Sequence, residues 1–259
     1  VGANWGDEGK GRMVDYLAQE ADFVVRYQGG NNAGHTVVNE YGEFKLHLLP
    51  SGVFNPNVTN ILGPGMVIDL QAMAEELDEI RGRGIDPRLA VSERATICFP
   101  FHRMEDTWEE ERLGKKAYGS TRRGIAPAYG DRTIKKAIQV GEILHPERLR
   151  QRLADIVEWK RNRARLFYGQ EDPFGIEDMW DWVQTYGLRI KDLICDTSEL
   201  LEDGARAGKR VLFEAQLGTL RDLNYGIYPF TTSSCTLASF APIGGGLFGH
   251  GPDRVCAVV

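Results

Sequence analysis

What the 259-residue chain lacks narrows it first. It has four cysteines, Cys98, Cys195, Cys235 and Cys256, and none of them falls in a C-x-x-C pair or at a metal-ligand spacing, which excludes a zinc-type site and a disulfide framework. Widely spaced thiols of this kind are ordinarily reduced and mostly buried, and a cytoplasmic protein is the expectation. No apolar run approaches transmembrane length, and no secretory signal precedes the first strand, so no membrane partner is expected. Positive charge is not in excess: 31 basic against 37 acidic residues give a net charge of −6, which argues against a general attraction to nucleic acid. An anionic substrate would have to be held by local basic groups. There is no internal repeat or low-complexity linker, and 42% hydrophobic with 26% charged residues is ordinary for a globular chain.

What the chain does have is concentrated at its start. Residues 2 to 12 read Gly-Ala-Asn-Trp-Gly-Asp-Glu-Gly-Lys-Gly-Arg, and the four glycines leave the backbone free to adopt positive φ and approach a ligand closely. Met13, Val14, Leu17 and Ala18 then supply one apolar helical face. A glycine-rich turn opening into a helix, with Lys10 at the junction, presents unpaired N–H groups and the positive end of the helix dipole to an anion. A phosphate is the natural guest. The match to G-x-x-x-x-G-K-[ST] is incomplete, since Asn4 and Gly11 stand where Gly and a hydroxyl residue belong, and nothing follows the lysine to hold Mg²⁺. Asp7 lies three residues before the lysine instead. An acid there is either a helix cap, its commoner role, or a group that holds a metal or does chemistry beside the phosphates. Spacing alone leaves both open.

Phe23, Val24, Val25 and Tyr27 predict a buried strand, followed by the turn-rich loop Gln28-Gly29-Gly30-Asn31-Asn32-Ala33-Gly34-His35-Thr36. Loops at the carboxyl ends of neighbouring strands share one crevice in α/β sheets. His35, with Asn32 and Thr36 around it, is therefore expected to face Asp7 across a ligand. A lone loop histidine is usually a surface residue, but one opposite a carboxylate can act as acid to its base.

Further on, Val37-Val38 and Phe44 to Leu49 predict a hairpin through Asn39-Glu40-Tyr41-Gly42. Short strands flank Gly63-Pro64-Gly65, and Asp69 caps a helix with Leu70, Met73, Ala74, Leu77 and Ile80 on one face, ending at Arg81 and Gly82. Ala95 to Phe99 predicts a strand stopped by Pro100. The alternation argues for an α/β fold with a mainly parallel central sheet covered by helices on both faces. The charged run Glu105 to Lys116 reads as solvated. Gly119 to Tyr129 mixes glycine, hydroxyl and arginine groups suited to a phosphate monoester, with an ordinary basic loop as the competing reading. Residues 142 to 207 read as helical, with Lys160, Arg161, Arg163 and Arg165 on a solvated face and Trp180, Trp182 and Tyr186 in the core or an interface. Val211 to Glu214 predicts a buried strand, followed by Ala215-Gln216-Leu217-Gly218 and the hydroxyl-rich loop Tyr228 to Ser234. Val1 to Ala3 and Val255 to Val259 read as strands cut short at the two ends.

At these residues the chain resembles the adenylosuccinate synthetases. The resemblance rests on WGDEGKG (Trp5 to Gly11), VVRYQGGNNAGHT (Val24 to Thr36), the block at Gly119 to Tyr129 and the two loops after Glu214, in the family's order and near its spacing. It implies a phosphate-loop NTPase-like fold in a single domain, 1–259, whose C-terminal part is absent. It implies a ligase that uses GTP to join L-aspartate to IMP through a 6-phosphoryl-IMP intermediate, giving adenylosuccinate, GDP and phosphate. Asp7 would be the base, His35 the acid and Lys10 the neutralising cation. GTP would be contacted by Gly6, Asp7, Glu8, Gly9, Lys10, Gly11 and Arg12 together with Gly34, His35 and Thr36. IMP would be contacted by Asp7, Lys10, Asn32, His35, Thr121, Lys135, Gln216 and Thr232, and Mg²⁺ by Asp7 and the Gly34 carbonyl. Lys135 matches an arginine that reaches the partner subunit's substrate, which implies a homodimer with a shared active site.

The chain departs from the family's pattern in several places. Arg122 and Ala126 replace glycines, and Lys135 keeps the charge of the usual arginine without its bidentate fork. Leu217 stands where the family has its substrate-contacting glutamine, with Gln216 one position early. The guanine-reading and aspartate-binding segments of the family would lie beyond Val259. These departures keep two alternatives in play: a ligase for a 2-amino purine monophosphate, and a nucleotide-binding module that has lost catalysis.

Overall fold

In the computed structural model, which describes residues 1–39 and 41–259, the chain begins with α1 (Lys10–Ala18) and β1 (Phe23–Arg26). The hairpin β2 (His35–Asn39) and β3 (Gly42–Leu46) follows, then β4 (Thr59–Leu62), β5 (Val67–Ile68) and α2 (Leu70–Gly82). Next come β6 (Arg88–Ser92), β7 (Thr96–Ile97), α3 (Pro100–Leu113), α4 (Ile125–Thr133), α5 (Pro146–Tyr168) and α6 (Ile176–Trp182). The chain continues through β8 (Ile194–Cys195), α7 (Thr197–Arg206), β9 (Val211–Glu214) and α8 (Ala241–Gly245). Of the expected hairpin turn, Glu40 lies outside the described residues. No helix is long and apolar enough to cross a membrane among those described.

The central sheet is parallel throughout, in the order β8-β6-β4-β1-β9. It has the α/β architecture expected from the alternation, because each strand is apolar on both faces. Phe23 and Val25 of β1 pack with Leu201 of α7 on one side, while Val24 packs with Val14 and Ala18 of α1 on the other. Beyond β9 the sheet is prolonged only by bridges: Gly2 pairs with Gly218 and with Val258. The two end segments expected as strands are therefore single pairings. The order of the sheet turns back at β1 and β9, so the loops leaving these two strands and the segment after Gly2 meet at one carboxyl-end crevice.

Asp69 caps α2 as its spacing predicts, accepting the N–H groups of Gln71 and Ala72 at 3.1 Å each. Elsewhere the helical reading of 142 to 207 is interrupted by β8, which pairs with β6, a strand the sequence pattern did not announce. α4 also occupies part of what read as a loop.

Two readings of charge are corrected. Glu105, Asp106 and Glu110 of α3 are buried, as is Lys160 of α5, although both runs read as solvated. The reason is mutual: Lys160 Nζ lies 2.5 Å from Glu105 and 2.6 Å from Asp131 of α4, tying three helices together. His102 Nδ1 accepts the Phe99 N–H at 2.9 Å, so its Nε2 carries the proton toward Asp131 Oδ2 at 3.0 Å. Burial pushes the His102 imidazole down to about 4, leaving it neutral at pH 7. Removing one member of such a buried cluster strands the others. Lys160→Ala is expected to destabilise the protein by about 3–5 kcal/mol, measured as a lowered urea midpoint at neutral pH.

Candidate active site

The segment after Gly2 forms a tight loop that enters α1 at Lys10. Gly6 takes φ +114, and a Cβ there would lie 2.4 Å from Leu217 Cα, so only glycine permits this loop to rest on the one after β9. The N-cap of α1 is Gly9, in the left-handed region at φ +84, and no side chain caps the helix. Asp7 is therefore not a cap, which removes the commoner of its two sequence readings. It is exposed, and among the described residues no hydrogen bond or ion pair engages its carboxylate.

Glu8 turns inward instead. Its Oε1 accepts the N–H groups of Asn4 at 3.0 Å and Gly6 at 2.9 Å, showing that the loop amides converge on one anion. Burial by itself raises the Glu8 carboxyl, but these backbone bonds and the Lys10 charge outweigh it and hold it below the usual range. Lys10 is 3% exposed, and its Nζ donates to the Gly6 carbonyl at 2.7 Å. Burial lowers its ammonium, opposed by the charges of Glu8, Glu214 and Asp7 around it.

His35 opens β2 directly against the first turn of α1. A Cβ on Gly11 would stand 2.9 Å from the His35 Cβ, which accounts for glycine where a standard phosphate loop has a hydroxyl residue. His35 Nδ1 lies 2.7 Å from Glu214 Oε1 at the end of β9. Glu214 also accepts the Ser51 N–H at 2.8 Å and the Ser51 hydroxyl at 2.6 Å. Burial raises this carboxyl, yet His35, the Arg26 guanidinium and Ser51 together bring it below the ordinary range. Glu214, Arg26 and Ser51 escaped the sequence reading. For Arg26 and Glu214 the signal was a charged residue closing each of two apolar strands, Phe-Val-Val-Arg and Val-Leu-Phe-Glu; Ser51 had none.

Gln216 is fully buried, and its amide is spent within the protein. Its Oε1 accepts from Arg26 Nη2 at 2.6 Å and from the Gly30 N–H at 3.1 Å, while its Nε2 donates to Asn32 Oδ1. Because Asn32 Oδ1 also accepts the Gly30 N–H at 3.2 Å, the free face of Asn32 is its amide N–H₂. Leu217 adopts φ +59, a left-handed conformation that costs a side-chain-bearing residue about 1–2 kcal/mol. Arg122 does the same at φ +56, a conformation that glycine adopts without this cost.

Lys10 thus lies within the field of Glu214, which His35 contacts, and Gln216 joins Asn32 to Arg26, the strand partner of Glu214, while Asp7 and Gly34 are exposed on the loops that carry Lys10 and His35. Near Thr232, Ser234 Oγ donates to Gln28 Oε1 at 2.8 Å, and Phe230 meets Tyr118 edge-on, so the loop of Thr232 touches the segment leading to Thr121. Lys135 is exposed at the end of α4 and has no hydrogen bond or ion pair to this cluster among the described residues. Gly34 and Thr36 are exposed beside His35. An exposed Asp7 carboxylate would fill only part of an octahedral shell, which suits Mg²⁺ held jointly with substrate phosphates and water.

The adenylosuccinate synthetase family model matches residues 1–259, the whole chain. The chain belongs to the adenylosuccinate synthetase family. It is 51% identical over its full length to adenylosuccinate synthetase 2 of Pseudoalteromonas translucida and 45% identical to the adenylosuccinate synthetase of Heliobacterium modesticaldum, covering 62% and 61% of them. It superposes on a fully ligated adenylosuccinate synthetase from Plasmodium falciparum with a TM-score of 0.92 at 31% identity, over all of this chain and 60% of the other. A cyanophage succinoaminodeoxyadenylate synthetase bound to dGMP and dATP shares the fold, with a TM-score of 0.66 at 23% identity, over 95% of this chain and 58% of that one. The chain spans about 60% of the length of the family members it matches.

The depressed Glu214 carboxyl has a consequence for acid stability. As pH falls below the ordinary value of 4.5, the unfolded chain takes up this proton before the folded one, so the stabilisation present at neutral pH is progressively lost. Glu214→Gln is expected to lower stability at pH 7 by about 1–3 kcal/mol and to flatten its decline below pH 4.5, both measured by urea unfolding across the pH range.

Proposed function

We propose that this chain provides the phosphoryl-transfer site of a ligase that joins L-aspartate to IMP at the expense of GTP, giving adenylosuccinate, GDP and phosphate. The observation that carries the reading is the unengaged Asp7 carboxylate and the Glu214-backed His35 imidazole around the buried Lys10 ammonium. Asp7 takes the proton from purine N1, which makes the 6-oxygen nucleophilic toward the γ-phosphorus of GTP. The P–O bond to the β-phosphate breaks as the bond to the 6-oxygen forms, giving 6-phosphoryl-IMP and GDP. His35 donates to the reacting oxygens while charge develops, and Lys10 with the loop amides neutralises the transferred group. Asp7 and the Gly34 carbonyl would hold Mg²⁺, which would supply further charge neutralisation on the phosphates. The aspartate amine then attacks C6 and expels phosphate.

In this reading Asn32 turns its amide N–H₂ to the 6-oxygen, and Gln216 serves by fixing that orientation from behind. Thr121 and Thr232 hold the IMP phosphate, and Lys135 reaches the substrate of a second subunit in a homodimer. Gly6 to Arg12 and Gly34 to Thr36 enclose the GTP phosphates.

The test is Asp7→Asn in the full-length protein. Adenylosuccinate formation is expected to fall by about 100-fold or more, with nucleotide binding retained. Undiminished turnover would overturn the assignment of the base. Turnover of guanosine monophosphate in preference to IMP would overturn the choice of purine, a point on which the buried Gln216 and left-handed Leu217 bear directly.

A further inference from the structure

Two carboxylates of α3 have no role in the chemistry above, yet both are buried beneath the segment 117–124. Asp106 and Glu110 lie one helical turn apart, and among the described residues neither forms an ion pair. Glu110 accepts the Tyr118 N–H at 3.1 Å on one oxygen and the Gly119 N–H at 3.0 Å on the other. Asp106 accepts the Ser120 hydroxyl at 2.6 Å on one oxygen and the Gly124 N–H at 2.9 Å on the other. The Ser120 oxygen in turn accepts the Arg122 N–H at 3.1 Å. The two acids therefore grip both ends of one turn and consume its inward donors, leaving Thr121, Arg122 and Arg123 exposed.

Negative charge behind a loop that receives a phosphate is unfavourable unless it does something geometric. Here it does. Among the described residues the Ser120 bridge is the one hydrogen bond that holds Arg122 in its left-handed conformation, and without it the turn that carries Thr121 would lose its shape. We propose that Asp106 and Glu110, acting through Ser120 and the backbone, are positioning residues for the phosphate of the nucleoside monophosphate. The proposal rests on the reading of this loop as the IMP phosphate site.

The experiment is calorimetric titration of the full chain with IMP, with inosine, which lacks the phosphate, and with GTP. Asp106→Asn and Glu110→Gln are each expected to weaken IMP about tenfold, the cost of a hydrogen bond to a charged acceptor, while inosine and GTP affinities stay unchanged. Ser120→Ala is expected to follow them and Ser120→Thr to retain binding. The Asp106→Asn, Ser120→Ala double variant should lose less than the sum of the two single losses, because both remove the Asp106–Ser120 bond. Ser120 is only half-buried, so its variants keep the question answerable where a carboxylate variant fails to fold. Equal losses for IMP and inosine, or unchanged IMP affinity, would overturn the positioning role. An unaltered protein that binds IMP no better than inosine would instead overturn the assignment of the loop, and the proposal with it.

Discussion

The crevice depends on one buried adjacency. Arg26 and Glu214 are register partners on the last paired rung of β1 and β9, both essentially sealed from water. A buried guanidinium is costly unless its donors are met. Arg26 meets those of its two terminal nitrogens with the carbonyls of His47 at 3.1 Å, Leu48 at 2.9 Å and Gly30 at 3.3 Å and with the Gln216 side chain at 2.6 Å, while its Nε has no partner among the described residues. One side chain thus ties the loop after β1, the segment after β3 and the loop after β9. Burial lowers its own proton affinity, and the charges of Glu214 and Glu76 oppose that. Glu76, itself buried, accepts the N–H groups of His47, Leu48 and Leu49, so the segment facing Arg26 is held from its other side as well.

That frame gives the acids around the glycine-rich loop separate tasks. Glu8 faces into the loop and binds its amides, Glu214 backs His35, and Asp7 is left exposed with no side-chain partner among the described residues. A single lysine, Lys10, sits within the field of all three. Three carboxylates near bound phosphates would repel them if all were equivalent. Two of them are already engaged by the protein, and in the proposed function the third is the one available to a metal or a proton.

The same division of labour recurs at the helices. α3 and α5 carry runs of charge that a one-dimensional reading assigns to solvent, because charged residues are seldom fully buried. Glu105 and Lys160 are buried because each is the other's partner across 55 residues of chain, a relation invisible to local pattern. Asp106 and Glu110 are buried because loop amides, rather than a cation, satisfy them. By contrast Asp69 was readable, since a cap is a local event settled within three residues.

By itself the sequence determined the apolar faces, the parallel α/β architecture, the glycine-rich loop before Lys10 and the pairing of that loop with the one carrying His35. These follow from periodicity and from backbone freedom, which act over a few residues. Only the tertiary structure decided that Asp7 is no helix cap, that Glu214 stands behind His35, and that Gln216 is sealed against Arg26 and Asn32 instead of facing the crevice. Those outcomes turn on which polar groups meet after strands distant in sequence are laid side by side. A buried charge takes whatever partner the fold brings to it, and the fold is set by the apolar residues around it.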